Sequence, residues 1–304
     1  METNDRAIDV QGLRAAYGDH VAVDGVDLTV DRGELVALLG TNGAGKTTTM
    51  ETIEGHRAAQ GGTVTVLGHD PWRDRDEIRP RMGIMLQSSG FAGELTVHET
   101  AKLWTRLRSR AGSPDAALER LDLAHRRDVQ VKQLSGGEQR RLDMAIALLG
   151  DPEVLFLDEP STGLDPQSRR RTWDVIADLV AGGTAVLMTT HYMEEAEKLA
   201  DRIAILDGGR IAREGTMAQL VAGLDGTISF VLPEDDDPRN PPPALPDLAG
   251  TVEAARGGVV VVTTDHLQRD LATLLAWADG HDLALGRLQA SESSLDDVFA
   301  GVQA

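Results

Sequence analysis

The sequence predicts an α/β protein: a mainly parallel sheet covered by helices, with a small second α/β domain behind it. Three observations predict it. Short apolar runs of strand character alternate with longer helical patterns from about residue 8 to residue 220. Residues 96–149 carry no run of strand character and read as a helical insertion. After Gly223 the composition changes, and an acidic, proline-rich stretch, PEDDDPRNPPPALP, interrupts the pattern.

The clearest strands are 35–39, 154–157, 185–189 and 203–206, each apolar and each followed by Gly, Asp or a polar turn. Thr96 and Glu99 have capping-box spacing and predict a helix start. Beyond Gly223, residues 227–232, 251–256, 259–264 and 283–289 are expected as strands, with Arg256-Gly257-Gly258 as a hairpin turn. Residues 266–278 show helical spacing, with Leu267, Leu271, Leu274, Leu275 and Ala278 on one face. Ser293 or Ser294 would cap a last helix through Phe299. The domains are therefore expected at 1–222 and 223–304.

Composition narrows the setting. Of 304 residues 41% are apolar and only 3% aromatic, so the core must be aliphatic. With no cysteine, disulfides and thiolate metal sites are excluded, and a cytosolic setting fits. The first ten residues are polar and acidic and lack the features of a signal peptide. No apolar run approaches the roughly 20 residues of a membrane span. A net charge of −19 argues against nucleic acid as a partner and against direct docking on anionic lipid.

Gly40-Thr41-Asn42-Gly43-Ala44-Gly45-Lys46-Thr47 has the form G-x-x-x-x-G-K-[ST], directly after an apolar strand and at the start of a helical segment. Glycines let backbone N–H groups close on phosphate oxygens. Lys46 supplies a cation for the β- and γ-phosphates, Thr47 a hydroxyl for Mg²⁺, and Thr48 a contact to the α-phosphate. The loop by itself specifies only a nucleoside triphosphate. Downstream, the strand 154–157 delivers Asp158 and Glu159 to a sheet edge. Asp158 would hold Mg²⁺ through water, and Glu159 would polarise the attacking water. No N-K-x-D guanine motif accompanies them.

Leu134-Ser135-Gly136-Gly137-Glu138 resembles the signature of the ABC ATPase family, with Glu138 where the usual residue is Gln. The resemblance covers roughly residues 8–222 and implies a P-loop NTPase of the ABC ATPase fold with a helical subdomain. It implies that Ser135, Gly136 and Gly137 face the γ-phosphate held by a second subunit, so hydrolysis needs a dimer, expected to be a homodimer, with two ATPs. Tyr17 then falls where an aromatic stacks on adenine. Gln87 falls where a glutamine touches Mg²⁺ and water. Asp165, in Ser161-Thr162-Gly163-Leu164-Asp165, falls in the loop that crosses the dimer. His191 falls where a histidine contacts the γ-phosphate.

The end of the chain, Ser294-Leu295-Asp296-Asp297-Val298-Phe299, resembles the tail of daunorubicin-resistance-type exporter ATPases, with Asp296 in place of Glu. The runs Gly163-Leu164-Asp165-Pro166 and Tyr192-Met193-Glu194-Glu195-Ala196 resemble that branch too. The resemblance implies an ATPase subunit that powers export of a drug, antibiotic or lipid-like molecule. It would sit at the cytoplasmic face of the membrane, held by a separate permease docked near Gln87 and the helices up to residue 110. An importer subunit and a soluble ABC ATPase remain as alternatives; the single cassette, lack of heptads and acidic charge disfavour the second.

Overall fold

A computed structural model describes residues 5–86, 90–108, 112–232, 243–254 and 258–303. The chain divides into two compact units, Met1–Met217 and Ala218–Val302.

In the first unit, β1 (Arg6–Tyr17) and β2 (His20–Asp31) form a long antiparallel pair. Next come β3 (Leu35–Gly40), α1 (Lys46–Ile53) and β4 (Gly61–Val66), then α2 (Arg75–Ile78) and β5 (Met82–Met85). The helices α3 (Val97–Leu107), α4 (Pro114–Arg120) and α5 (Gly136–Ala147) follow. The unit continues with β6 (Val154–Asp158), α6 (Pro166–Ala181), β7 (Ala185–Thr189), α7 (Met193–Leu199), β8 (Arg202–Asp207) and β9 (Arg210–Gly215).

Two sheets result. The larger has the order β5-β6-β7-β3-β8-β9 and is parallel up to its antiparallel edge strand β9. Every residue of β3 and β7 is buried, which explains why both read as unbroken apolar runs. The second sheet, β2-β1-β4, is antiparallel and was not separable in the sequence from the parallel strands. Its strands alternate only loosely, because register shifts along β1 break the period of two. Val10, Leu13, Val23 and Leu28 join Val36, Leu38 and Phe156 in one core cluster, in which Phe156 is the single aromatic residue.

The predicted helical insertion is present as α3 to α5. The Thr96–Glu99 capping box forms in full: the Glu99 amide donates to Thr96 Oγ1 at 3.1 Å and the Thr96 amide donates to Glu99 Oε2 at 2.9 Å.

The second unit begins within α8 (Met217–Val221) and holds β10 (Gly226–Val231), β11 (Thr251–Ala254), β12 (Val259–Thr264), α9 (Leu267–Gly280), β13 (Gly286–Ser291) and α10 (Leu295–Gln303). Its antiparallel sheet runs β11-β12-β10-β13. Three expectations are corrected here. The last strand starts at Gly286 rather than residue 283, because Leu283 is taken up by the end of α9: Asp282 is left-handed at φ +54 and the Leu283 amide donates to Ala278 O at 2.9 Å. Leu275 is 46% exposed, since the sheet covers only the stripe that includes Leu274 and Ala278. The final helix runs past Phe299 to Gln303. Ser294 caps it, pairing with Asp297 Oδ2 through both its amide (2.8 Å) and its hydroxyl (2.9 Å). The turn expected at Arg256-Gly257-Gly258 lies largely outside the described residues, although β11 and β12 do pair antiparallel.

Glu153, just before β6, ties strand starts together. It accepts from Arg81 at 2.6 and 2.7 Å and from Arg32 at 3.1 Å. The Arg81 hydrogen bonds, ahead of the other influences, lower its pKa from 4.5 to about 2. A folded value below the unfolded one stabilises the fold above about pH 4.5, and that stabilisation is lost as pH falls toward 2. Glu153→Gln should therefore lower the urea midpoint at neutral pH, with the gap to the wild type closing as unfolding is followed toward pH 2.

Candidate nucleotide site

Strand register sets the site. Thr189, at the end of β7, pairs with Leu38 of β3 on one side and with Asp158 of β6 on the other. The loop after β3, the acids ending β6 and His191 beyond β7 therefore leave the sheet at one edge, the carboxyl edge where α/β sheets bind ligands. Tyr17, Thr41, Asn42, Gly43, Gly45, Lys46, Thr47, Thr48, Asp158 and Glu159 line one cleft of about 280 Å³. Gly40 ends β3 beneath it, and Ala44 is 4% exposed, its carbonyl accepting from the Gly209 amide at 3.0 Å. His20 and Ala22, which the sequence did not single out, also line the cleft. A larger cavity, about 780 Å³, lies in the C-terminal unit and is lined by none of these residues. Chemistry rather than size identifies the functional cleft.

The loop geometry is that of an anion cradle. Gly43 and Gly45 take φ of +85° and +106°, which only glycine adopts without strain. Lys46 Nζ arches over the loop and donates to Gly40 O at 2.6 Å and Thr41 O at 3.1 Å. Burial lowers its pKa, and the carboxylates of Glu159 and Asp158 partly restore it. Lys46 thus sits between the loop carbonyls of Gly40 and Thr41 and the carboxylates of Asp158 and Glu159.

Asp158 accepts from Thr189 Oγ1. Glu159 is left-handed at φ +51, its amide donating to Thr189 O at 3.0 Å. Its carboxylate meets Thr162 Oγ1 at 3.2 Å and lies 3.4 Å from His191 Nδ1. The Tyr17 ring is 53% exposed and carries the Arg57 guanidinium 4.1 Å from its centroid. Its hydroxyl lies 3.3 Å from Glu51 Oε2 and 3.5 Å from Thr48 Oγ1. Gln87 lies outside the described residues; Leu86 before it follows β5, the neighbour of β6.

Ser135, Gly136, Gly137 and Asp165 do not line this cleft. Ser135 is the N-cap of α5 and forms a complete capping box with Glu138. Burial pushes the Glu138 carboxyl up, but the Ser135 amide and the Arg126 guanidinium, 2.6 Å away, hold it below the usual range. Replacement of Gln by Glu at this position thus yields a charged, fully engaged cap. Asp165 caps α6, accepting from the amides of Gln167 and Ser168 at 3.0 Å and from Ser168 Oγ at 2.6 Å. The Ser168 hydroxyl and amide hold its carboxyl low.

Comparison with known proteins follows this geometry. The profile of the family described as ABC transporter matches residues 23–162, and that of an ABC transporter domain-containing protein-like C-terminal domain matches residues 226–294. A daunorubicin resistance ATP-binding protein of Streptomyces coeruleorubidus is 41% identical across 97% of this chain and 95% of its own length. The chain belongs to the ABC transporter ATP-binding protein family. A daunorubicin/doxorubicin resistance ATP-binding protein of Streptomyces peucetius is 37% identical, covering 97% and 91% of the two chains. A Nod factor export ATP-binding protein of Ralstonia nicotianae is 36% identical, covering 96% and 92%. Among solved structures, an ATP-binding subunit of an ABC transporter superposes with TM-score 0.66 at 27% identity, over 70% of this chain and 91% of that one. A dimeric bacterial ABC transporter cassette gives 0.63 at 27%, over 69% and 98%. The fold is that of a P-loop ATPase, and the chain is an ATP-hydrolysing subunit of an ABC transporter.

The two loop glycines separate the cradle from ordinary turn geometry. A Cβ on Gly45 would lie 2.4 Å from Ala22 O, whereas one on Gly43 meets nothing within 4 Å. Gly45→Ala should abolish binding of a fluorescent ATP analogue, and Gly43→Ala should weaken it less.

Proposed function

We propose that this ABC ATPase powers export of a drug, antibiotic or lipid-like molecule through a separate permease, working as half of an ATP-bound homodimer at the cytoplasmic face of the membrane. The observation that carries the export reading is likeness to drug-resistance and Nod factor export ATP-binding proteins across nearly the whole chain, the C-terminal unit included. Among the described residues no helix is long and apolar enough to cross a membrane.

The chemistry is assigned residue by residue. The amides of 41–47 and Lys46 hold the β- and γ-phosphates, and Thr48 the α-phosphate. Adenine stacks on the Tyr17 face that Arg57 leaves open. Mg²⁺ takes few protein ligands and keeps waters and phosphate oxygens, so the Thr47 hydroxyl and the Asp158 carboxylate, which line the cleft, fit it, and Gln87 is proposed as a further ligand. When bound, it neutralises charge on the transferred phosphoryl group. Glu159 accepts a proton from the attacking water, and His191, 3.4 Å from that carboxylate, orients it and reaches the γ-phosphate. Ser135, Gly136 and Gly137, at the exposed start of α5, complete the site of the other subunit. Asp165 lies at the same junction.

A groove of about 640 Å³ supports permease docking. It is lined by Ile84, Leu86, Trp104, Leu107, Arg79 and Arg108 among others. Leu107 is 69% exposed and Leu86 48%, a surface a partner helix would cover.

Glu159→Gln should reduce ATP turnover by about 10²–10⁴-fold while leaving ATP affinity within a few-fold; Lys46→Ala should instead weaken binding. Normal turnover in Glu159→Gln would remove Glu159 from its role. Leu107→Asp should keep basal ATPase activity yet lose co-purification with a co-expressed permease subunit.

A further inference from the structure

Arg140 lies one turn into α5, downstream of the Ser135 cap, and is 8% exposed. A cation so withdrawn from water needs compensation. Its guanidinium finds it in the main chain of two other segments. Nη1 donates to Leu86 O at 2.7 Å, and Nη2 donates to Glu159 O at 2.7 Å and to Asp158 O. Burial draws its pKa down, while the carboxylates of Asp143, Asp158, Glu159 and Glu195 oppose that. Only a planar fork of fixed donors spans such a set of carbonyls; an ammonium is a point charge on a flexible stem.

The Glu159 backbone gives this contact its meaning. At φ +51 it occupies the left-handed region, which a side-chain-bearing residue keeps only where its surroundings over-determine it. The Glu159 amide is fixed from β7, donating to Thr189 O at 3.0 Å and lying 3.3 Å from Thr189 Oγ1. Its carbonyl is fixed from α5 by Arg140. The direction of the Glu159 carboxylate therefore depends on where α5 stands relative to the sheet.

We propose that Arg140 is the positioning residue that makes the aim of Glu159 depend on both the Ser135-capped start of α5 and the strand end at Leu86. The inference rests on Glu159 being the base. Whatever fixes Ser135 at the start of α5 also fixes the Arg140 guanidinium. Whatever enters the groove beside Leu86 acts on the same guanidinium through the Leu86 carbonyl. Partner subunit and permease thus meet at one side chain before their effects reach the attacking water.

The test compares Arg140→Lys, Arg140→Met and Glu159→Gln, with turnover normalised to the fraction of protein that binds a fluorescent ATP analogue, so that partial unfolding does not count. Arg140→Lys should lower kcat about tenfold and Arg140→Met about a hundredfold, the scale set by misplacing a catalytic group by about an ångström. KM for ATP should stay within about twofold, as expected when only transition-state stabilisation is lost. In permease-containing vesicles, the stimulation of ATPase activity by the permease should also collapse in Arg140→Lys. Unchanged kcat in Arg140→Lys, or a loss confined to KM, would overturn the proposal. Should Glu159→Gln itself turn over normally, the assignment of the base fails instead; an inactive Glu159→Gln beside a fully active Arg140→Lys sinks the Arg140 proposal alone.

Discussion

Thr189 pairs with Leu38 on one side and Asp158 on the other, and this register places the chemistry. Parallel strands release their following loops at the same edge. With β7 between β3 and β6, the phosphate loop and the acid pair come out one strand apart, and His191 emerges between them. A slip of one residue would turn the carboxylates to the opposite face. Such a slip is opposed by the complete burial of β3 and β7 and by the aliphatic cluster that Val36, Leu38 and Phe156 share with the antiparallel sheet.

Charge is organised around that edge in two layers. Lys46 is partly buried and shares the cleft with the carboxylates of Asp158 and Glu159. The second layer is the helical insertion. Its signature start is capped by a carboxylate paired with Arg126, and its buried Arg140 holds the acid-bearing strand end. The insertion is thus fastened to the catalytic edge by side-chain-to-carbonyl contacts, which are orientation-sensitive, rather than by apolar packing alone.

Much of this was legible in sequence, because the decisive signals are local. The phosphate loop, the Thr96 cap, the fully buried strands and Asp158-Glu159 each depend on a few neighbouring residues. The losses share a cause as well. The start of β13 is not legible in sequence because Leu283 serves the end of α9, a role set by backbone geometry at Asp282. Leu275 shares the apolar face of α9 with Leu274 and Ala278, but the small sheet is too narrow to cover it. Arg140 reads in sequence as one more charge in a polar helix; only long-range contacts with residues 86, 158 and 159 reveal it. Likewise, nothing local separates β1, β2 and β4 from the parallel strands.

Completion of the cleft by a second copy of the chain is the central claim. The most direct measurement is sedimentation of Glu159→Gln with and without MgATP. The account predicts the single-chain mass of 32.6 kDa without nucleotide and twice that mass with MgATP. A protein that binds ATP yet stays at the single-chain mass at every concentration would contradict it.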